Sequence, residues 1–371
     1  MRTPPSPPEA ARTGESSVRI GALAPLSRPG WVDAGRHLLA GLELAVRDVN
    51  ADAAGILGRP LELVVRDTAA DPRRAAAAVT ELAQLGVAGV AGEYHSVAAR
   101  AAAAQADALG LPFLCSSAVL DALTDTSTDW VARLAPAQSH SWQIYADFLR
   151  DAGHRRVAVA AESSVYWAAG TRILRNCLDA RGGTVIEMDM GALTPSALCD
   201  ELAENGATAL LLLVGHPEPA VSIVKSVRND RRLGEIMMGA PAGQPEFPEW
   251  VALLGRDGAA IPFLRYLPER LGPLGARVDA ALRAGLAEAP SFVAFEGYDT
   301  VTVLAEVLRS HGADRERVAA SWPSVAIEGT RGQIRFSRKP GIGVWQSAST
   351  PVQVVDRDPA EPDRFRVLHV S

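Results

Sequence analysis

Lysine is almost missing from this chain: Lys225 and Lys339 are the only two, so arginine carries nearly all the positive charge. Acidic residues outnumber basic ones, 43 to 37, and the formal net charge is −6. With no dense basic run, that balance argues against a nucleic-acid surface. Cysteine is also scarce. Cys115, Cys177 and Cys199 are odd in number and show no C-x-x-C or other metal spacing, so they read as buried small hydrophobes or inert thiols. No apolar run approaches the length of a membrane-spanning helix, and no cysteine near the start offers a site for a lipid. The catalytic signatures H-E-x-x-H, G-x-S-x-G and G-x-x-x-x-G-K-[ST] do not occur. GALAPLSRPG, after the first strand, lacks the dinucleotide glycine pattern, so neither a nucleoside triphosphate nor NAD is expected and no cofactor or metal is assigned.

What is present is ordinary for a soluble globular protein: 48% hydrophobic and 22% charged residues over 371 positions. That length suits two domains sharing a hinge better than one core. MRTPPSPPEAARTGESS is rich in Pro, Ser and charge and has no apolar h-region, so residues 1–17 are expected to be a disordered arm. As written, without a signal peptide or a lipid-attachment cysteine, the chain reads as cytoplasmic; it reads as exported if a native leader is missing.

The stretch from Gly86 to Val119, GVAGVAGEYHSVAARAAAAQADALGLPFLCSSAV, organises the rest. Apolar strands at Val87–Ala91 and Pro112–Cys115 flank an alanine-rich helix, Val97–Leu109, and make a right-handed βαβ unit in a parallel sheet. Both strands end at one edge of that sheet, where loops meet helix N-termini with unpaired N–H groups. Ser96 stands at the expected N-cap, and Ser116 and Ser117 leave the second strand. These hydroxyls either converge on a small polar or anionic group or simply cap helices and fill turns.

Before this unit the pattern predicts strand Val18–Leu26, helix Gly35–Asn50, strand Leu61–Arg66 and a helix opened by Asp71-Pro72. After a crossing at Arg133–Pro136 come helix Gln138–Ala152, strand Arg156–Ala161, helix Trp167–Arg181, strand Thr184–Met188, helix Ser196–Asn205, strand Ala209–Val214, helix Pro219–Asp230 and strand Ile236–Met238. Two successive α/β series mean two sheets with a cleft between them. Ile261–Leu267 reads as a return strand, Ala276–Ala287 and Phe295–Ser310 as helices, Ile327–Phe336 as a glycine-punctuated hairpin, and Val344–Val355 as extended chain.

IGALAPL, then GLELAVRDVNADAAGILGRPLELVVRDTAADP, the Gly-Leu-Pro strand ending in CSSA, ESSVYWAAG, FEGYDTVTVLAEVL and IEGTRGQIRF occur in that order. Together they resemble the type I periplasmic-binding-protein family, above all its branched-chain amino-acid and amide receptors of the ABC-transporter substrate-binding type, across Val18 to Val355. The resemblance implies an α/β fold of two doubly wound parallel-sheet lobes joined by three hinge crossings, placed near Pro136, Pro262 and Ser337. Lobe 1 would hold 18–136 plus 263–336, and lobe 2 would hold 137–262 plus 337–371.

The resemblance also assigns roles by position. Ser96 and Ser116, Ser117 and Ala118 fall where the first lobe holds a ligand's carboxylate or amide through hydroxyls and backbone N–H groups. Tyr166 falls where the second lobe closes an aromatic ring, and His216 where relatives place a polar or aromatic contact. Amino-acid receptors carry an acid for the ligand ammonium within 239–243, but this chain reads GAPAG there, with Ala242 in the site. Val119 replaces a frequent threonine. An unpaired buried ammonium is costly, so these departures favour an amide, a carboxylate or an aromatic acid.

Trp31, Tyr94, Tyr166 and Trp167 lie in strand-end turns and can stack on a ring, Tyr166 in preference to Trp167. His95, His140 and His216 fall near strand ends or crossing loops, and Glu93 and Glu162 in strand-end turns. The expected function is to bind a small polar or aromatic metabolite, amino-acid-like, amide or carboxylate, by hinge closure. The chain would act as a solute-binding receptor or a cytoplasmic ligand sensor, with a transporter permease or regulatory protein as partner and no membrane insertion. The alternative is an enzyme that uses the cleft with His95 and His216 as acid–base or metal-binding residues.

Overall fold

The first seven elements alternate strand and helix; β3 and β4 are buried throughout and β1 nearly so, while β2, at the sheet edge, is only partly covered. The computed structural model describes residues 17–52 and 55–370, so the expected arm, apart from Ser17, lies outside the described residues. The elements are β1 (Val18–Ala24), α1 (Val32–Ala51), β2 (Leu61–Asp67), α2 (Pro72–Gln84), β3 (Val90–Gly92), α3 (Ser96–Ala108) and β4 (Phe113–Cys115). β5 (Val131–Arg133) follows, and these strands run parallel in the order β5-β4-β3-β1-β2. The start signal for α2 works as read: the Asp71 carboxylate accepts from Arg74 N at 2.7 Å and Pro72 takes the first helical position. Asp67 shapes the adjoining loops by accepting from Leu26 N and Ala69 N, both at 2.8 Å.

The second series contains α4 (Gln138–Asp151), β6 (Arg156–Ala161), α5 (Val165–Asp179), β7 (Thr184–Asp189), α6 (Pro195–Asn205), β8 (Ala209–Leu213), α7 (Ala220–Asn229) and β9 (Met237–Gly239). Its parallel sheet runs β7-β6-β8-β9. β8 reads ALLLL with every residue buried, as a strand covered by helices on both faces must be. α8 (Pro248–Leu254) packs against α7, and its Glu249 faces the first lobe.

Two crossings differ from expectation. β10 (Phe263–Arg265) is followed by α9 (Pro273–Leu286), α10 (Phe292–His311), α11 (Arg315–Ala320), β11 (Ala326–Gly329), β12 (Gly332–Lys339), β13 (Ile342–Ser347), β14 (Gln353–Arg357) and β15 (Phe365–Val370). β10 pairs antiparallel with β14, and β14 with β15, in a three-stranded sheet that packs on α4. Phe263–Arg265 therefore sits with the second lobe, and that crossing falls over 266–272 rather than at Pro262. The last crossing moves further. β12 and β13 form a hairpin turned by Gly341 at φ +77°, and β13 pairs parallel with β5, so residues up to Ser347 remain in the first sheet. The chain then leaves over 348–352, not near Ser337. The Lys339-Pro340-Gly341 turn looks like an exit loop in sequence but returns the chain to the same sheet.

The first and third crossings are tied together by buried polar groups. Arg133 Nε donates to Gln346 Oε1 at 2.8 Å, and Gln346 Nε2 donates to Ala135 O at 2.7 Å. In the first lobe α1 lies close along α10, because Gly41 and Gly297 carry no Cβ: one added at Gly41 would stand 1.9 Å from Ala294 O, and one at Gly297 2.4 Å from Leu38 O.

Candidate ligand-binding site

The edges at which both parallel sheets end face each other across a cavity of about 340 Å³. The first lobe lines it with Trp31, Tyr94, His95, Ser96, Ser117 and Phe292, and the second with Glu162, Ser164, Tyr166, Trp167, Gly215 and Ala242. Tyr266, from the second crossing, completes the floor. Rings pair around the wall: Trp31 with Tyr94 at 5.7 Å between centroids, Tyr166 with Trp167 at 4.7 Å, and Tyr266 with Phe292 at 5.0 Å. Such pairs favour a flat guest that can slide between or stand edge-on to them.

Each group is placed by the strand-end turn that carries it. Trp31 is the N-cap residue of α1. Ser164 caps α5 by accepting from Trp167 N at 3.1 Å, which brings Tyr166 and Trp167 over the cleft. His95, not Ser96, is the N-cap residue of α3, and its side chain makes no capping bond. Ser96 is the first helical residue, and its hydroxyl accepts from Leu120 N at 3.3 Å. The first-turn amides of α3, at Ser96 and Val97, have no intrahelical partner, and both residues line the cavity.

Three residues named from the sequence do not line the cavity. Ser116 and Ala118 lie behind its wall, because the register of β3 with β4 turns their amides inward: Ser116 N donates to Gly92 O at 3.0 Å and Ala118 N to Glu93 O at 3.2 Å. Ser117 N is likewise engaged by Glu93 O, although Ser117 itself lines the wall. His216 is buried behind Trp31, with Nε2 3.4 Å from Glu249 Oε2 and the two rings 5.9 Å apart. Phe292 and Tyr266 went unnoticed in the sequence. Phe292 is the first residue of α10, three residues before the expected helix start, and Tyr266 sits in an irregular crossing. Trp167, expected mainly to pack, is on the wall.

The electrostatics of the wall are mild. It carries no arginine or lysine, and its one carboxylate, Glu162, accepts from Gly215 N at 2.6 Å. Burial holds the His95 imidazole down at about 4, so it is neutral near pH 7. Glu93, just beneath, is pushed up to about 7 by burial, although Thr68 Oγ1, Tyr94 N and His95 N all donate to it. The histidines do not converge. His140 lines a separate cavity with Lys339, and Trp31 stands edge-on to both His95 and His216. Among the described residues no group of three or more His, Cys, Asp or Glu is arranged to hold a metal ion.

Polar bonds hold the lobes together around the cavity. Glu246 in the second lobe accepts from Phe292 N in the first at 3.0 Å, Glu249 N donates to Asp33 Oδ2 at 3.2 Å, and Arg28 pairs with Glu249.

The sequence profile of a family described as periplasmic binding protein matches residues 17–357. This chain belongs to that family. A Leu/Ile/Val-binding protein homolog from Brucella melitensis is 30% identical over 176 residues, which is 45% of this chain and 43% of the relative; the match thus spans less than half of either protein. A leucine-binding protein from Thermotoga maritima superposes with a TM-score of 0.82 at 21% identity, covering 95% of this chain and 98% of that one. An R. palustris solute-binding protein in complex with benzoate gives 0.80 at 18% identity, with 96% of each chain covered. These structures share the two-lobed fold. Against the family pattern, Ala242 places a methyl group on the cavity wall within the segment where an acid was expected from the resemblance to amino-acid receptors. Among the described residues no helix is long and apolar enough to cross a membrane.

Proposed function

We propose that this chain is a solute-binding receptor whose lobes close on a small aromatic carboxylate. The observation that carries this reading is the wall itself: six aromatic side chains from both lobes around about 340 Å³, with hydroxyl and amide donors on one side. That volume lies at the low end of the roughly 300–1,000 Å³ of small-molecule sites and suits a single ring with short substituents. The ligand carboxylate would be held by the Ser96 hydroxyl and the first-turn amides of α3 rather than by an ion pair, since the wall has no cationic side chain and His95 is neutral. A ligand ammonium would meet Glu162 alone, already bonded to Gly215 N. Because the rings come from both lobes, the ligand gains contacts on closure that neither lobe offers by itself, and this difference is what shifts the population. A permease or regulatory protein that reads the closed form is the partner such a receptor needs.

Trp31 and Trp167 make tryptophan fluorescence a direct reporter. Titration with benzoate, phenylalanine and leucine should give saturable binding of benzoate in the micromolar range or tighter, with leucine at least about tenfold weaker. Saturable leucine binding with no response to any ring acid overturns the proposal.

A further inference from the structure

Glu296 on α10 is fully buried, one helical turn beyond the cavity residue Phe292. Its Oε1 accepts from Arg331 Nη1 at 2.9 Å, while Arg331 Nε lies 3.3 Å from Asp299 Oδ2, so two carboxylates share one guanidinium. Oε2 of Glu296 has no hydrogen-bond partner among the described residues. The groups facing this carboxylate also belong to the cavity wall: the Ser117 hydroxyl interacts with it, and Tyr94 and Tyr266 stand within reach of its charge. Asp299, by contrast, is committed to structure, accepting from Thr330 N at 2.7 Å. A second carboxylate is not needed to neutralise Arg331, and a half-satisfied buried one is costly unless something else donates to it.

The consequence falls on Ser117. Its Oγ donates to Ser116 Oγ at 3.2 Å, and Glu296 is the competing acceptor for the same proton. Burial pushes the Glu296 carboxyl up to about 7, so above that pH it is ionised and cannot donate; in either arrangement the Ser117 proton is then held within the protein, and the lone pairs of Ser117 Oγ are left for the cavity. We propose that Glu296, as a positioning residue acting through Ser117, makes this part of the wall an acceptor subsite that selects ring carboxylates bearing a hydrogen-bond donor, a hydroxyl or amino substituent. This inference rests on the aromatic-carboxylate reading above.

The test compares affinities for benzoate, 3-hydroxybenzoate, 4-hydroxybenzoate and 4-aminobenzoate in the wild type and in Ser117→Ala, Ser117→Thr and Glu296→Gln, by calorimetry and tryptophan fluorescence at about pH 8.5, where Glu296 is ionised. At least one donor-bearing acid should bind wild type about tenfold or more tighter than benzoate. Ser117→Ala should reduce that ratio to within about threefold of unity, and Ser117→Thr, which keeps the hydroxyl, should retain it. Glu296→Gln can itself donate to Ser117 and free the serine proton toward the cavity, so it too should lose the preference. Ser117→Ala removes no charge and keeps the test decisive even where Glu296→Gln does not fold. A Glu296→Gln protein that binds every acid more weakly with the ratio intact overturns the inference, because a merely structural role has that signature. Equal binding of all four acids by wild type overturns the inference alone; failure of every ring acid to bind overturns it together with the reading beneath it.

Discussion

Glu246 should govern how readily the lobes close. Its carboxylate is buried in the second lobe, where Arg265 Nε donates to it at 3.0 Å, and it accepts from Phe292 N of the first lobe, also at 3.0 Å. Phe292 opens α10, and its N-cap residue, Ser291, makes no side-chain capping bond. The helix is thus capped by an acid from the opposite lobe, with the favourable sense of the helix dipole. A bond that spans the lobes is made on closure and lost on opening, so its full value enters ligand affinity. Charge-assisted hydrogen bonds contribute about 1.5–3 kcal/mol and neutral ones about 0.5–1.5. Glu246→Gln keeps the shape and loses the charge, a change of about 1–1.5 kcal/mol, or roughly five- to twelvefold weaker binding. Glu246→Ala removes the acceptor altogether and should weaken binding by up to about a hundredfold. Fluorescence titration gives the affinity, and small-angle scattering with and without saturating ligand gives the closure. If Glu246→Ala binds as tightly as wild type and compacts to the same extent, the interlobe cap does not contribute to closure and the argument fails.

Three further outcomes follow from the packing and the buried charge. Gly41→Ala would put a methyl group 1.9 Å from Ala294 O, forcing α1 from α10; about 1–3 kcal/mol of stability should be lost in urea melts, and an unchanged midpoint refutes the close approach. Because Glu93 is held near 7 by burial, the folded chain keeps a proton that the unfolded chain loses between the ordinary carboxylate range and pH 7, so this group's contribution to stability falls as pH rises through that window. Wild-type stability measured against Glu93→Gln should therefore drop by on the order of 2 kcal/mol from pH 4.5 to pH 8, and a difference independent of pH contradicts this account. Asp71→Ala removes the α2 cap and should cost about 1 kcal/mol; Asp71→Asn, which can still accept from Arg74 N, should recover most of it.

How much of this was legible depends on how local the cause is. Asp71-Pro72, the five apolar residues of β8 and the alanine face of α3 carry their structure in adjacent residues, so strands and helices fall close to their predicted places. Parallel βαβ units also open all their loops at one edge, which is why Trp31, Tyr94, His95, Ser96, Ser117 and Tyr166 fall at one cleft by their strand-end positions, with Ala242 joining them through the family resemblance. The failures are non-local. The pairing of β10 with β14 joins residues about ninety positions apart, and the return of β13 to β5 turns on Gly341; no local periodicity encodes either. Ser116 and Ala118 stand behind the wall rather than on it, because strand-end amides look free in sequence until the register of β3 with β4 spends them on the carbonyls of Gly92 and Glu93. Glu296 is the most instructive case. In sequence it is one of several polar positions in this helix, and GAPAG lacks the acid that the resemblance would put there to read a donor. Packing α10 beneath Ser117 puts a half-satisfied carboxylate beside that cleft after all, from the first lobe rather than the second. Selectivity for a donor can therefore reside in this chain although the position that would advertise it in sequence is empty.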